Sequence, residues 1–157
     1  IWGGRFLWDS QGRGPQSDLL VPGHFQNPSL SPDGRLAIRR RGEGFMLVDA
    51  ETGRPIRRLA EKDEWRWPIL WSGDGRRFAA RFKDARTIRV WDAAGKVLLE
   101  REASVAMFFP DGKRLLALKD GEADITEVPG GKPVPAFRLN GAAAVDITPD
   151  GRWAAAA

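Results

Sequence analysis

The 157-residue sequence contains no cysteine. That excludes disulfide bridges, thiol catalysis and cysteine-ligated zinc. It is neutral on compartment, because a chain without thiols is stable in either redox setting. There is a single histidine, His24, and no nucleophile is placed near it in the sequence. A Ser-His-Asp arrangement is therefore not indicated, and His24 reads as a loop or structural residue. No apolar run reaches the length of about 18 residues that a membrane-spanning helix needs. No Gly-rich phosphate loop occurs. The middle proline of Asn27-Pro28-Ser29 blocks glycosylation there. The sequence thus calls for no cofactor and no metal.

Charge is present but mixed. Lys and Arg total 25, Asp and Glu total 21, and the net charge is +4. The signs are interspersed. Arg39-Arg40-Arg41 is the only basic triple, with Arg57-Arg58 and Arg76-Arg77 as shorter clusters. Such clusters read first as solvated strand ends. A phosphate contact, and hence weak nucleic-acid association, is the minor alternative. A hydrophobic fraction of 42% and seven Trp residues describe a folded chain rather than a disordered tail.

The most informative feature is a repeat. Ser31-Pro32-Asp33-Gly34, Ser72-Gly73-Asp74-Gly75, Phe109-Pro110-Asp111-Gly112 and Thr148-Pro149-Asp150-Gly151 are four copies of one signature, their Asp residues spaced by 41, 37 and 39 residues. A fixed turn motif at a period near 40 points to stacked like units. Pro presets φ, Asp can bond its own backbone, and Gly takes the left-handed position. The four Asp residues lie too far apart to share an ion and read as turn formers. A sialidase-type Asp box does not fit, because no residue separates Asp74 from Gly75.

A second landmark recurs in phase. Trp8-Asp9, Val48-Asp49 and Trp91-Asp92 each end a short hydrophobic stretch, while Ile125-Thr126-Glu127-Val128 reads as a degenerate copy. Further turns follow at Ala50-Glu51-Thr52-Gly53, Ala93-Ala94-Gly95 and Pro129-Gly130-Gly131. One unit therefore reads as four short strands. In the second full copy these are Pro68 to Trp71, Arg76 to Phe82, Thr87 to Trp91 and Lys96 to Arg101. No window offers a helical stripe of useful length. Leu36, Phe78, Leu115 and Trp153 read as equivalent core positions between units, with Leu47, Val90 and Trp8 or Trp91 joining them.

These landmarks resemble the WD-repeat β-propeller family, including its bacterial variants. The Asp-Gly turns, the Trp-Asp pairs and the phrase Thr87-Ile88-Arg89-Val90-Trp91-Asp92 carry the resemblance, which covers nearly the whole chain. The family's Gly-His dipeptide has one candidate, Gly23-His24, set closer to the next turn than usual. The family's His, Ser/Thr and Asp network is therefore not expected, and apolar packing replaces it. The implied fold is all-β, a β-propeller of four-stranded antiparallel blades. Residues 1–157 form one propeller region: a half blade at 1–23, blades at 24–61, 62–102 and 103–140, and a half blade at 141–157. The halves either close a four-bladed ring or belong to an arc of a larger propeller of about six to eight blades. The arc is the favoured arrangement, and the opening inside a repeat suggests a slice of a longer polypeptide.

In such a topology the loops opposite the Asp-Gly turns share one face. That face would carry His24, Phe25, Arg40, Glu43, Glu64, Trp65, Arg66, Trp67, Lys83, Asp84, Arg86, Lys119, Asp120 and Glu122. Trp and Arg dominate binding hot spots, so Trp65-Arg66-Trp67 is the leading partner-contact candidate. Its structural alternative is that both Trp side chains tuck between blades, since neighbouring strand residues face opposite sides. The resemblance implies a non-enzymatic, cytoplasmic scaffold or sensor domain. Its partner would be a protein or another domain of the same polypeptide, as in bacterial signalling or ATPase-linked proteins. The rival is a propeller lid of a serine-peptidase-like hydrolase, whose Gly-x-Ser-x-Gly elbow is not found in these residues.

Overall fold

The computed structural model describes residues 29–41, 44–60, 65–82, 86–139 and 144–156, with the side chains of 40, 41, 60, 65–68, 82, 135–139 and 156 outside that description. The expected half blade at 1–23 lies outside the described residues. All regular structure among the described residues is β-strand, and no helix there is long and apolar enough to cross a membrane. The architecture is that of propeller blades: repeated four-stranded antiparallel sheets in simple up-and-down order. The chain forms two compact units, residues 1–63 and 64–157.

The first unit holds one sheet of β1 (Ser29–Leu30), β2 (Leu36–Arg41), β3 (Gly44–Asp49) and β4 (Pro55–Ala60), ordered as in the chain. Burial runs through consecutive residues, Ala37-Ile38 on β2 and Leu47-Val48 on β3, so side chains on both faces are buried. Ala37, Val48 and Ala50 form one cluster, with Leu30 and Met46 packed on it.

The second unit holds two complete sheets. One comprises β5 (Trp65–Trp71), β6 (Arg77–Phe82), β7 (Thr87–Asp92) and β8 (Val97–Glu102). The next comprises β9 (Val105–Phe108), β10 (Arg114–Lys119), β11 (Glu122–Glu127) and β12 (Pro133–Leu139). A third, two-stranded sheet pairs β13 (Val145–Ile147) with β14 (Ala154–Ala156). These sheets stack on one another through dry faces. Ala79, Ile88 and Val90 meet Ala106, Leu115 and Ala117. On the far side, Leu116, Leu118 and Ile125 meet Val145, Ile147 and Ala154. One sheet cannot bury both faces alone, so stacking is what makes the strands stable. Each large side chain so buried contributes roughly 1.5–3 kcal/mol.

The turn signature works through its side chains. The Ser72 hydroxyl donates to Asp74 Oδ1 at 2.6 Å and accepts from the Arg77 amide at 3.0 Å, and Asp74 Oδ1 also accepts from the Arg76 amide. Ser31–Asp33 and Thr148–Asp150 repeat this closure at 2.6 Å each. Phe109 replaces the hydroxyl in the third copy. There Asp111 caps the Lys113 amide, and Arg114 bridges from Asp111 to lie 4.3 Å from the Phe109 ring centroid. Gly112 shows why the last position is glycine: its φ is +65°, and a Cβ would fall 2.9 Å from the Asp74 carboxylate.

The Trp-Asp landmark also has a local cause. Asp49 Oδ1 caps the Thr52 amide at 2.7 Å, and Asp92 Oδ1 caps the Ala94 and Lys96 amides, so the carboxylate builds the turn leaving the third strand. Trp91 lies stacked on Phe78 with centroids 5.2 Å apart, and Phe78 contacts Trp71 at 5.1 Å. In the next sheet Leu115 pairs with Thr126 and Arg114 with Glu127. Thr126-Glu127 therefore fills the Trp91-Asp92 position.

One expected equivalence is corrected. Phe78 and Leu115 are fully buried, but Leu36 is half-buried and Trp153 is 71% exposed. The turn hydrogen bonds explain this. The carbonyls of Leu36, Arg77, Arg114 and Trp153 accept the equivalent bond, from the amides of Ser31, Ser72, Phe109 and Thr148. Leu36 and Trp153 thus stand one residue before the Phe78 position and face the other side.

Candidate functional site

In the second unit the loops that join strands sort to two ends. Arg86 precedes β7, Ala103-Ser104 links β8 to β9, and Asp120-Gly121 links β10 to β11. Hydrogen bonds tie these loops together. The Ala103 amide donates to the Arg86 carbonyl at 2.7 Å, and the Ser104 amide and hydroxyl both donate to the Leu118 carbonyl. Asp120 and Gly121 both have positive φ, 49° and 83°, as a two-residue hairpin turn requires.

The result is a small depression of about 40 Å³ lined by Arg86, Glu102, Ala103, Ser104, Lys119 and Asp120. Its charges are mixed. Lys119 pairs with Glu102, whose carboxylate holds the Lys119 ammonium above the usual lysine value. Both side chains are exposed, so the pair contributes little to stability. Beneath it Arg101 grips Asp124 of the adjacent sheet through two bonds of 2.8 Å and also contacts the Thr126 hydroxyl. Among the described residues, no group of three or more His, Asp or Glu could hold a metal ion. The depression presents hydrogen-bonding and charged groups of both signs.

The opposite end carries the Asp-Gly turns. Here the Thr148 hydroxyl holds Asp150 below the usual carboxylate range, and within the first unit the Ser31 hydroxyl does the same for Asp33. Burial pushes Asp74 up, but the Ser72 hydroxyl, the Arg76 amide and the Arg77 charge outweigh it and leave the group lowered. Arg77 Nη1 reaches across to the Gly112 carbonyl at 2.9 Å. An open depression of about 530 Å³ lies among Arg77, Asp111, Lys113, Arg114, Glu127 and Pro129. Arg114 is paired with Asp111 there.

Of the candidates named from sequence, Arg86, Lys119, Asp120 and Glu122 are described, and Arg86, Lys119 and Asp120 share the loop-end depression. Trp65, Arg66 and Trp67 form the start of β5, with Trp65 opposite Phe82 and Arg66 opposite Arg81 in register. Their side chains, and that of Arg40 in β2, lie outside the described residues. So do His24, Phe25, Glu43, Glu64, Lys83 and Asp84. Sequence reasoning missed Glu102 and Ser104. A strand-end Glu followed by a short link to the next strand is the only signal that pointed to them.

No family model matches the sequence, and no curated protein matches it. Solved structures do. One is a crystal structure of a eukaryotic initiation factor, with TM-score 0.64 and 17% identity over 83% of this chain and 36% of that one. Another is the hydrazine synthase of Kuenenia stuttgartiensis, with TM-score 0.58 and 22% identity over 93% of this chain and 44% of that one. This chain spans less than half the length of either. At such identities the likeness shows the fold alone. It places the chain among all-β proteins built from repeated antiparallel sheets, compatible with a β-propeller.

Proposed function

We propose that this chain is a WD-repeat-type propeller region acting as a non-enzymatic recognition scaffold, part of a larger bacterial protein. Its partner is a protein or another domain of the same polypeptide. The observation that carries the reading is the loop end of the second unit. Stacked sheets hold a mixed-charge rim of Arg86, Glu102, Lys119 and Asp120. Such a rim suits a polar interface edge around aromatic anchors. Trp65 and Trp67 are the proposed anchors. Glu64, Arg66, Lys83, Asp84 and Arg86 of the same unit complete the proposed contact surface, and His24, Phe25 and Arg40 of the first unit are proposed as contacts in their own right.

The test is a double variant, Trp65→Ala with Trp67→Ala. A partner retrieved by affinity purification is titrated against the wild type and the variant, with circular dichroism recorded on both. The expected result is a loss of at least about 30-fold in affinity with the sheet spectrum retained. Unchanged affinity with unchanged folding refutes the site.

A further inference from the structure

Between the two complete sheets of the second unit lies a cleft of about 280 Å³, lined by Leu70, Ala79, Arg81, Ile88, Ser104, Val105, Ala106 and Met107 among others. Its origin is a local change in the repeat. Ala79 pairs with Val90 across β6 and β7. The same ladder position holds Ile38, opposite Leu47, in the first sheet and Leu116, opposite Ile125, in the third. Two repeats thus fill this place with a large aliphatic side chain, and the middle one leaves it short. On the facing sheet Ala106 of β9 lines the cleft, while its ladder partner Ala117 and the neighbouring Leu115 of β10 are buried in the cluster behind it. The other stacked junction is filled by Leu116, Leu118, Ile147 and Val145. Close-packed interiors seldom leave a gap of this size between well-ordered sheets.

The mouth of the cleft is not apolar. Among the described residues Arg81 is the one charged side chain that lines it, and its Nη1 donates to the Ser104 carbonyl at 2.9 Å. That bond fixes the guanidinium at the rim and uses one of its five N–H donors. A planar fork of donors above an apolar hollow matches a carboxylate on an aliphatic stem. The volume is about nine times the ~30 Å³ share of a water molecule, which suits a ligand of about ten heavy atoms. Leu70, Ile88 and Met107 supply the surface for the stem.

We infer that this cleft is a binding site for a small aliphatic carboxylate, its chain between the sheets and its head on Arg81. The site needs no protein partner, so it stands or falls separately from the scaffold reading.

The test is titration of the full chain with octanoate and, separately, with 1-octanol, followed by calorimetry or by amide NMR shifts. Octanoate should bind with Kd below about 1 mM. Octanol should bind at least about tenfold more weakly, because it forgoes the charge-assisted bonds. Ala79→Leu, which restores the aliphatic residue of the other repeats, should abolish binding of both. Arg81→Gln should bring the two ligands to within about twofold of each other. If Ala79→Leu does not fold, Ala79→Val and the rim variant Arg81→Gln make the same discrimination. Wild type that binds neither probe refutes the site. So does octanoate affinity unchanged in a folded Ala79 variant, or a tenfold preference that survives Arg81→Gln.

Discussion

The bidentate grip of Arg101 on Asp124 is the sharpest test of how neighbouring sheets are held. Its two bonds are both 2.8 Å, and the side chains are 20% and 35% exposed. Two unit charges about 4 Å apart attract by about 4 kcal/mol at an effective dielectric near 20. Partial hydration and the ordering of a long Arg side chain remove much of that. A net coupling of about 1.5–2 kcal/mol remains, or roughly 10- to 30-fold in the folding equilibrium. The measurement is a double-mutant cycle on Arg101→Met, Asp124→Asn and the double variant. Urea unfolding followed by tryptophan fluorescence supplies the free energies. Asp124 keeps the Thr126 hydroxyl as a donor at 3.3 Å, so the Arg101 variant should still fold. Added salt at about 1 M should shrink the coupling only in part, because the pair is half-sheltered. A coupling below about 0.3 kcal/mol, the level of an exposed surface pair, would refute the reasoning.

Two further outcomes concern the turns. Ser72→Ala should destabilise the chain by about 1 kcal/mol at neutral pH, through loss of the hydroxyl bonds to Asp74 and to the Arg77 amide. Asp74 titrates below its ordinary 3.8 when folded, so its contribution is present above that pH and fades as pH falls through the folded value. The gap between wild type and Ser72→Ala should therefore narrow below about pH 3.8, and a constant gap from neutral pH to about pH 2.5 would contradict it. Gly112→Ala should cost about 2 kcal/mol or more, since it combines a left-handed backbone with a Cβ 2.9 Å from Asp74. An unchanged thermal midpoint would show that the turn relaxes.

The sheets were legible in the sequence because their signals are local. Ser72 reaches only to Asp74 and Arg77, and Asp92 only to Ala94 and Lys96. Glycine and carboxylate spacing therefore announces each turn directly. The third repeat was harder, since Glu127 stands where the other copies have Asp and Thr126 replaces the tryptophan. The signal was present: Glu127 follows Gly112 by the same 15 residues that separate Asp49 from Gly34. The facing of Leu36 and Trp153 was misread because landmark alignment tolerates a one-residue slip, and one residue reverses a strand side chain. The Arg101–Asp124 clamp and the Ala79 cleft lie between repeats. They depend on which sheet stacks on which face, and no spacing within a repeat encodes that. The loop-end surface was legible as topology, through Arg86, Lys119 and Asp120. Trp65 and Trp67 are placed along the chain by β5, which fixes their strand but not their contacts.

A turn whose hydroxyl and carboxylate satisfy each other within five residues closes without a side chain from the adjoining copy. Insertion or removal of a whole copy then leaves each turn's own closure intact, and the cost falls on the apolar faces and on the few arginine bonds that cross between sheets, such as Arg77 to the Gly112 carbonyl. Gene duplication could thus lengthen or shorten such an array while side chains like Ala79 drift independently from one copy to the next.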